Sequence, residues 1–212
     1  MAFDLEEQEK LDALKDWWKR YGTWLVSGLA VLAIAAGGWQ WWQLQQRQKS
    51  AQAAELYGAL QLALQADQRK AVKDTATALI DQYPGTPYAP RAAMIAASNN
   101  VRAGDMKSAQ AQLQWAIDHA SEDSMKQLAV LRMAALLLEQ KNPAWALKLL
   151  DAPYDEAHAA RFNDLKGDAH ALQNRPAEAR ASYRIALEKL DKDNPFRNYI
   201  QIKLDALGGE AK

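Results

Sequence analysis

His119, His158 and His170 are the residues on which a metal site or an imidazole acid–base mechanism would have to be built. None has a second histidine at the i, i+4 spacing that puts two ligands on one helix face. Asp151, Asp155 and Glu156 cluster beside Pro153 and Tyr154, but a polar connection accounts for them more simply than an acid–base pair. No glycine-rich stretch has phosphate-cradling spacing, and G-x-S-x-G is absent. The chain contains no cysteine, which excludes a disulfide framework, a thiolate zinc site, a catalytic thiol and a lipid-modified N-terminal cysteine. No convergent constellation is present, so the expectation is a protein that is not an enzyme and carries no cofactor or metal.

The elements that would position a binding surface are helical. The 212 residues are rich in Ala, Leu and Gln and poor in β-branched residues, and such straight-chain side chains lose little rotamer freedom in a helix. Net charge is zero, with four basic and six acidic groups in residues 1–46, so no basic field points to nucleic acid.

From Tyr21 to Gln46 no Asp, Glu, Lys or Arg occurs, and the centre of the run reads LVSGLAVLAIAAGG. About 20 apolar residues suffice to cross a bilayer core of ~30 Å. The run is apolar all round rather than along one stripe, which a surface helix of a soluble domain does not tolerate. Trp17, Trp18 and Trp24 stand before it and Trp39, Trp41 and Trp42 after it, the distribution of a membrane-interface belt. Lys10, Lys15, Lys19 and Arg20 precede the run and only Arg47 and Lys49 follow closely. That bias predicts a cytoplasmic N-terminus. Ala33-Ile34-Ala35 has the form of a signal-peptidase site, which makes a soluble exported helical-repeat protein acting in envelope assembly the competing reading. The long acidic segment ahead of it speaks against cleavage. The expected organisation is an amphipathic cytoplasmic segment over 1–22, a transmembrane helix over 23–43 and an external domain over 44–212. Leu11, Leu14, Trp18 and Tyr21 share one side of the first segment.

Beyond residue 50, turn residues punctuate helical patterns. Pro143, Pro176 and Pro195 each follow an asparagine within two residues and read as helix starts, while Gly104-Asp105 reads as an end followed by a cap. Pro176-Ala177-Glu178-Ala179 aligns with Pro143-Ala144-Trp145-Ala146 at an offset of 33. A small residue followed four positions later by a larger one recurs at Ala109/Leu113, Ala146/Leu150 and Ala179/Tyr183. This pattern lets antiparallel helices approach at the alanine while the larger side chain fills the next gap. A period near 34 resembles the tetratricopeptide repeat, best over Asn163–Leu187, with Gly167 in the small position of the first helix. The predicted fold is therefore all-α. A single N-terminal transmembrane helix precedes a tetratricopeptide-like α-solenoid of about four helical hairpins (50–83, 88–120, 123–151 and 155–191), with a capping helix from Pro195 to Leu207. Trp115 and Trp145 are expected to pack inside it, and Met94, Met106, Met125 and Met133 to fill core gaps. First helices of such pairs line a groove, and this register puts Arg91, Ser98, Arg161, Asp164 and Asp168 on that face as the expected protein-binding residues.

The order of these segments resembles the YfgM family. The residues that carry the likeness are Leu14-Lys15-Asp16-Trp17-Trp18-Lys19-Arg20-Tyr21-Gly22, Gly37-Gly38-Trp39-Gln40-Trp41-Trp42 and Ala51-Gln52-Ala53-Ala54-Glu55-Leu56-Tyr57. Ser108-Ala109-Gln110-Ala111-Gln112-Leu113 and Asp164-Leu165-Lys166-Gly167-Asp168 leading into Ala177-Glu178-Ala179-Arg180 extend it. The resemblance implies an ancillary subunit of the Sec translocon in the bacterial inner membrane, with its repeat domain periplasmic. It also implies work alongside a membrane-anchored periplasmic chaperone of the prolyl-isomerase-like type. It supplies no catalytic residues.

Overall fold

A computed structural model describes the backbone of residues 2–208 and the side chains of residues 9–208. Among them are nine α-helices, one 3-10 turn and no strand. They are α1 (Ala2–Gln65), α2 (Arg69–Gln82), α3 (Tyr88–Arg102), α4 (Met106–His119), α5 (Asp123–Glu139), α6 (Pro143–Leu150), α7 (Ala159–Leu172), α8 (Pro176–Glu188) and α9 (Phe196–Ala206). The 3-10 turn is Glu156–His158. The chain divides into two compact units, Met1–Ala51 and Gln52–Lys212.

The first unit is helix alone. Leu25, Val26, Leu29, Val31, Leu32 and Ile34 are all exposed, and only 6 % of its most apolar stretch is buried. A soluble core helix would hide these side chains; here they face outward around the whole circumference, the condition of a helix solvated by lipid. It is long and apolar enough to serve as a membrane anchor.

The second unit is four hairpins and a cap. Residues 52–65 of α1 pair with α2, α3 with α4, α5 with α6 and α7 with α8, and α9 packs on α8. First helices also touch one another, α3 with α5 and α5 with α7, so the hairpins stack in parallel. The small-then-large positions do what their sizes require. Ala109, Ala116, Ala146, Ala179 and Ala186 are completely buried, as is Leu150, with Leu113 and Tyr183 nearly so. At α7 the approach is close. A Cβ on Gly167 would lie 2.3 Å from Cε1 of Tyr183, so only glycine lets the ring sit there.

All four hairpins turn in the same way. One residue in each takes the left-handed conformation: Asp67 (φ 50°), Gly104 (φ 78°), Lys141 (φ 55°) and Asn174 (φ 57°). The next residue then donates its N–H back five positions, Gln68 to Ala63, Asp105 to Asn100, Asn142 to Leu137 and Arg175 to His170, at 2.8–2.9 Å. This is a Schellman closure, which satisfies carbonyls left open by the end of the first helix. The residue that closes one helix can open the next. The Asp105 carboxylate accepts from Ser108 N–H at 3.0 Å, and Asn142 Oδ1 accepts from Trp145 N–H at 3.4 Å. Hydrogen bonding from Ser108 also holds the Asp105 pKa below its ordinary value.

Met94 and Met133 are buried in the core, and Met106 and Met125 pack partly against it. Trp115 is partly buried and stacks on His119 at 4.2 Å. Trp145 differs from expectation: it is half exposed, because it sits in the first turn of α6 one residue before Ala146, the side that faces the neighbouring helix.

Candidate functional site

The four turns give a common register along the first helices. Counting back six residues from the left-handed position reaches Ser98 on α3, Ala135 on α5 and Asp168 on α7; counting back ten reaches Met94, Leu131 and Asp164. Of these, Asp164 and Asp168 face α9, while Met94, Ser98 and Ala135 border the space between α3 and α5.

At the C-terminal end that face is filled. Lys203 of α9 donates to Asp164 Oδ1 at 2.8 Å and to Asp168 at 2.7 Å, and Arg161 donates to Asp164 Oδ2 at 3.0 Å. Tyr183 donates its hydroxyl to Asp168 at 2.7 Å, while Lys203 lies over the Tyr199 ring at 4.4 Å and Arg161 over Phe196 at 4.6 Å. Two carboxylates and two cations make the cluster neutral, as a buried ionic group requires. Asp164 has 1 % of its side chain exposed, and burial raises its pKa while its hydrogen bond and attraction to Lys203 pull the other way. Burial acts against the Lys203 charge too, but its hydrogen bonds to Asp164 and Asp168 outweigh it, and its pKa lies above the ordinary value. Two cations converge on one carboxylate here, and the geometry is that of an ionised Asp164 holding a protonated Lys203. Burial, then the hydrogen bond to Asp168, pushes the Tyr183 hydroxyl far up. On the other side of α9, Ile200 and Leu204 are buried with α8 residues, each contributing roughly 1.5–3 kcal/mol.

Between α3 and α5 the space is open. It is a cavity of about 350 Å³, floored by Met94, Ala97, Leu113 and Leu136, with Ser98, Val101, Ala135, Arg132 and Glu139 around its mouth. Arg91, one turn before Met94 and Ile95, is held by Glu122 at 3.3 Å. Of the five residues expected on the groove, Ser98 therefore borders open space, whereas Arg91, Arg161, Asp164 and Asp168 make bonds within the domain. The α9 cluster was hidden from sequence reasoning because its partners lie 35 and 39 residues apart, beyond any helical periodicity.

The histidines are scattered. His119 Nδ1 lies 2.9 Å from the Trp115 carbonyl, and Nδ1 of His158 and of His170 is buried without a hydrogen bond. Burial, then the nearby Arg175 charge, lowers the His170 pKa. Asp151 and Glu156 pair with Lys166 at 3.0 Å and with Lys189 at 2.6 Å. Among the described residues no group of three His, Asp or Glu could hold a metal. The six tryptophans Trp17, Trp18, Trp24, Trp39, Trp41 and Trp42 are all exposed on α1.

Stacked helical hairpins with a capping helix, preceded by an exposed apolar helix, define a helical-repeat protein with a membrane-anchor segment. Residues 15–209 match the tetratricopeptide repeat-like domain family. A protein of Neisseria gonorrhoeae named "Ancillary SecYEG translocon subunit" is 33 % identical over 98 % of this chain and 100 % of its own length. Proteins of the same name from Haemophilus influenzae and Escherichia coli are 27 % and 25 % identical, over 88 % and 95 % of this chain and 91 % and 96 % of theirs. The chain belongs to the tetratricopeptide repeat-like family, in the YfgM group that its sequence resembles.

Proposed function

We propose that this protein is a non-catalytic, membrane-anchored scaffold ancillary to the Sec translocon of the bacterial inner membrane, which links exported chains to periplasmic chaperones. The observation that carries this reading is the end-to-end likeness to the named relatives, through anchor and repeats alike, with 100 % of the Neisseria protein covered. The segment 1–22 is cytoplasmic, 23–43 spans the bilayer with its tryptophans at the two interfaces, and 44–212 is periplasmic, as the Lys and Arg bias supports. Recognition falls on the row of first helices. There Ser98 adjoins open space, and Arg91, Arg161, Asp164 and Asp168 shape the row through their bonds within the domain.

Crosslinking in intact membranes, followed by identification of the adducts, tests the assignment. Translocon subunits and a membrane-anchored chaperone are the expected products, and recovery of neither refutes it. Protease added outside spheroplasts is expected to digest residues 44–212 and spare the N-terminus. Protection of the repeat domain from outside would reverse the topology, and N-terminal processing near Ala35 would remove the anchor.

A further inference from the structure

We propose that a second cavity, beside the first turns of α5, binds an α-ammonium group with its adjacent carbonyl oxygen and an apolar side chain, the chemistry shared by a free amino acid and the first residue of a polypeptide. The inference goes beyond the translocon reading and does not depend on it. It starts from a mismatch within the third hairpin. α5 has 17 residues and α6 only 8, lengths of about 25 and 12 Å, so α6 runs out roughly half-way along its partner. The connection that follows α6 crosses the uncovered turns instead. Asp155 N–H donates to Gln127 Oε1 at 2.9 Å, the Tyr154 ring stacks on Phe162 at 4.4 Å, and Asn163 donates to the Tyr154 hydroxyl at 3.1 Å. Held by these bonds, the connection leaves a cavity of about 340 Å³ between itself, α5 and Phe162 of α7, and none of its lining residues belongs to the α3–α5 space. That volume is at the small end of ligand pockets, room for one amino-acid residue rather than a cofactor.

Gln127 supplies the second argument. Its side chain lines the cavity, yet the residue is only 8 % exposed. The carboxamide oxygen is taken up by Asp155 N–H, while Nε2 has no hydrogen-bond partner among the described residues. An unpaired N–H at that depth is unfavourable, and an occupant that brings an oxygen satisfies it. The surrounding charges select the rest of the ligand. Asp123 lies one turn before Gln127 on the same side of α5, and Asp155 is tied to Gln127 through its backbone, so two carboxylates share the mouth with one cation, Lys126. Exposed charges are plentiful on this domain; these differ in surrounding a buried amide at a single opening. Their excess of one negative charge favours an ammonium and disfavours a ligand that is only an anion. Val130, Pro153 and Phe162 form the apolar wall. In an α-amino acid a single carbon joins the ammonium to the carbonyl group, which lets the oxygen meet Gln127 while the ammonium meets Asp123 or Asp155.

The test uses the full chain in nanodiscs and isothermal titration calorimetry. Leucinamide is expected to bind, and N-acetylleucinamide, which lacks the cation, to bind at least tenfold more weakly. Asp123→Asn with Asp155→Asn removes both carboxylates from exposed positions and is expected to abolish that preference. Gln127→Met removes the amide donors and is expected to weaken leucinamide at least tenfold. Melting curves check that the fold is kept, and an unfolded Gln127→Met is replaced by Ala152→Trp, which fills the cavity from the exposed connection and is expected to have the same effect. Leucine and the tripeptide Leu-Ala-Ala separate the two sources. Tripeptide binding as tight as that of leucinamide assigns the site to chain N-termini, and leucine binding at least tenfold tighter than the tripeptide assigns it to the free amino acid; either supports the shared chemistry. No binding of leucinamide, leucine or the tripeptide overturns the inference, as does equal binding of N-acetylleucinamide, or binding unchanged in the folded variants.

Discussion

Gly167→Ala places a methyl group where the Tyr183 ring already is. Its Cβ would meet Cε1 at 2.3 Å, Cδ1 at 2.5 Å and Cζ at 2.8 Å, so the ring or the α7 backbone must yield by more than 1 Å to reach ordinary contact. The ring has little freedom, being 3 % exposed and tied through its hydroxyl to Asp168 at 2.7 Å. Overpacking of this kind costs about 1–3 kcal/mol, while alanine gains about 1 kcal/mol over glycine inside a helix. The site is tight enough to take the upper part of that range, leaving a net loss of about 1–2 kcal/mol. For a domain of this size, that lowers the Tm by roughly 2–8 °C. Gly58→Ala is the matched control. It lies in α1 with nothing within 4 Å of its Cβ, and is expected to raise stability by up to about 1 kcal/mol. Thermal melts of the full chain in detergent, read by circular dichroism, compare the two. A third variant, Gly167→Ala with Tyr183→Leu, removes the ring, and there the alanine is expected to cost nothing beyond the Tyr183→Leu change. Equal stability of Gly167→Ala and the unaltered protein, or a penalty undiminished in the Leu background, would refute the packing argument.

Lys203→Met leaves the buried Asp164 with Arg161 as its remaining cation and the partly exposed Asp168 with none, and is expected to cost about 2–4 kcal/mol, somewhat less than a fully broken buried pair, in urea titrations. Lys203 and Tyr183 both bind their protons more tightly folded than unfolded. Their stabilisation is complete below pH 10.0 and is lost as pH rises past 10.0 and 10.5, a decline that should be shallower in Lys203→Met when melts are run against pH. His170 has the opposite behaviour. Its folded pKa is depressed, so the unfolded chain takes the proton first and stability falls as pH drops below 6.5; His170→Leu should flatten that fall. Ile34→Asp puts a charge in the centre of the apolar helix at an insertion cost of about 2.5–3.5 kcal/mol, and is expected to move protein from the carbonate-resistant membrane fraction into the supernatant.

Most of the architecture could be read before any coordinates because proline, glycine and asparagine mark hairpin turns for backbone reasons of their own. Pro143 and Pro176 begin α6 and α8 as expected, and Pro195 comes one residue before α9, where Asn194 Oδ1 accepts the Phe196 N–H at 2.9 Å. The turn at Asp67 carries no such mark. Aspartate enters the left-handed region at modest cost, and Ala66-Asp67-Gln68 looks like continuing helix in one dimension. Lys141 is the same case, legible only through the Asn142-Pro143 that follows. The row of first-helix positions was legible as a register but not in its occupancy. Whether Asp168 meets solvent or a lysine depends on how a helix thirty-five residues later lies across it, and periodicity within α7 says nothing of that.

The four identical turns bear on how such a chain is made. Each hairpin closes on bonds spanning five residues and on packing between helices adjacent in sequence, so it needs nothing that has not yet been synthesised. A polypeptide delivered N-terminus first through a narrow conduit can therefore condense hairpin by hairpin as it emerges. Only at the end does the last short helix, arriving with Lys203, lock down a segment laid in place well before it. A nascent chain arrested before residue 203 should hold all four hairpins, with Asp164 and Asp168 of the last still short of their lysine.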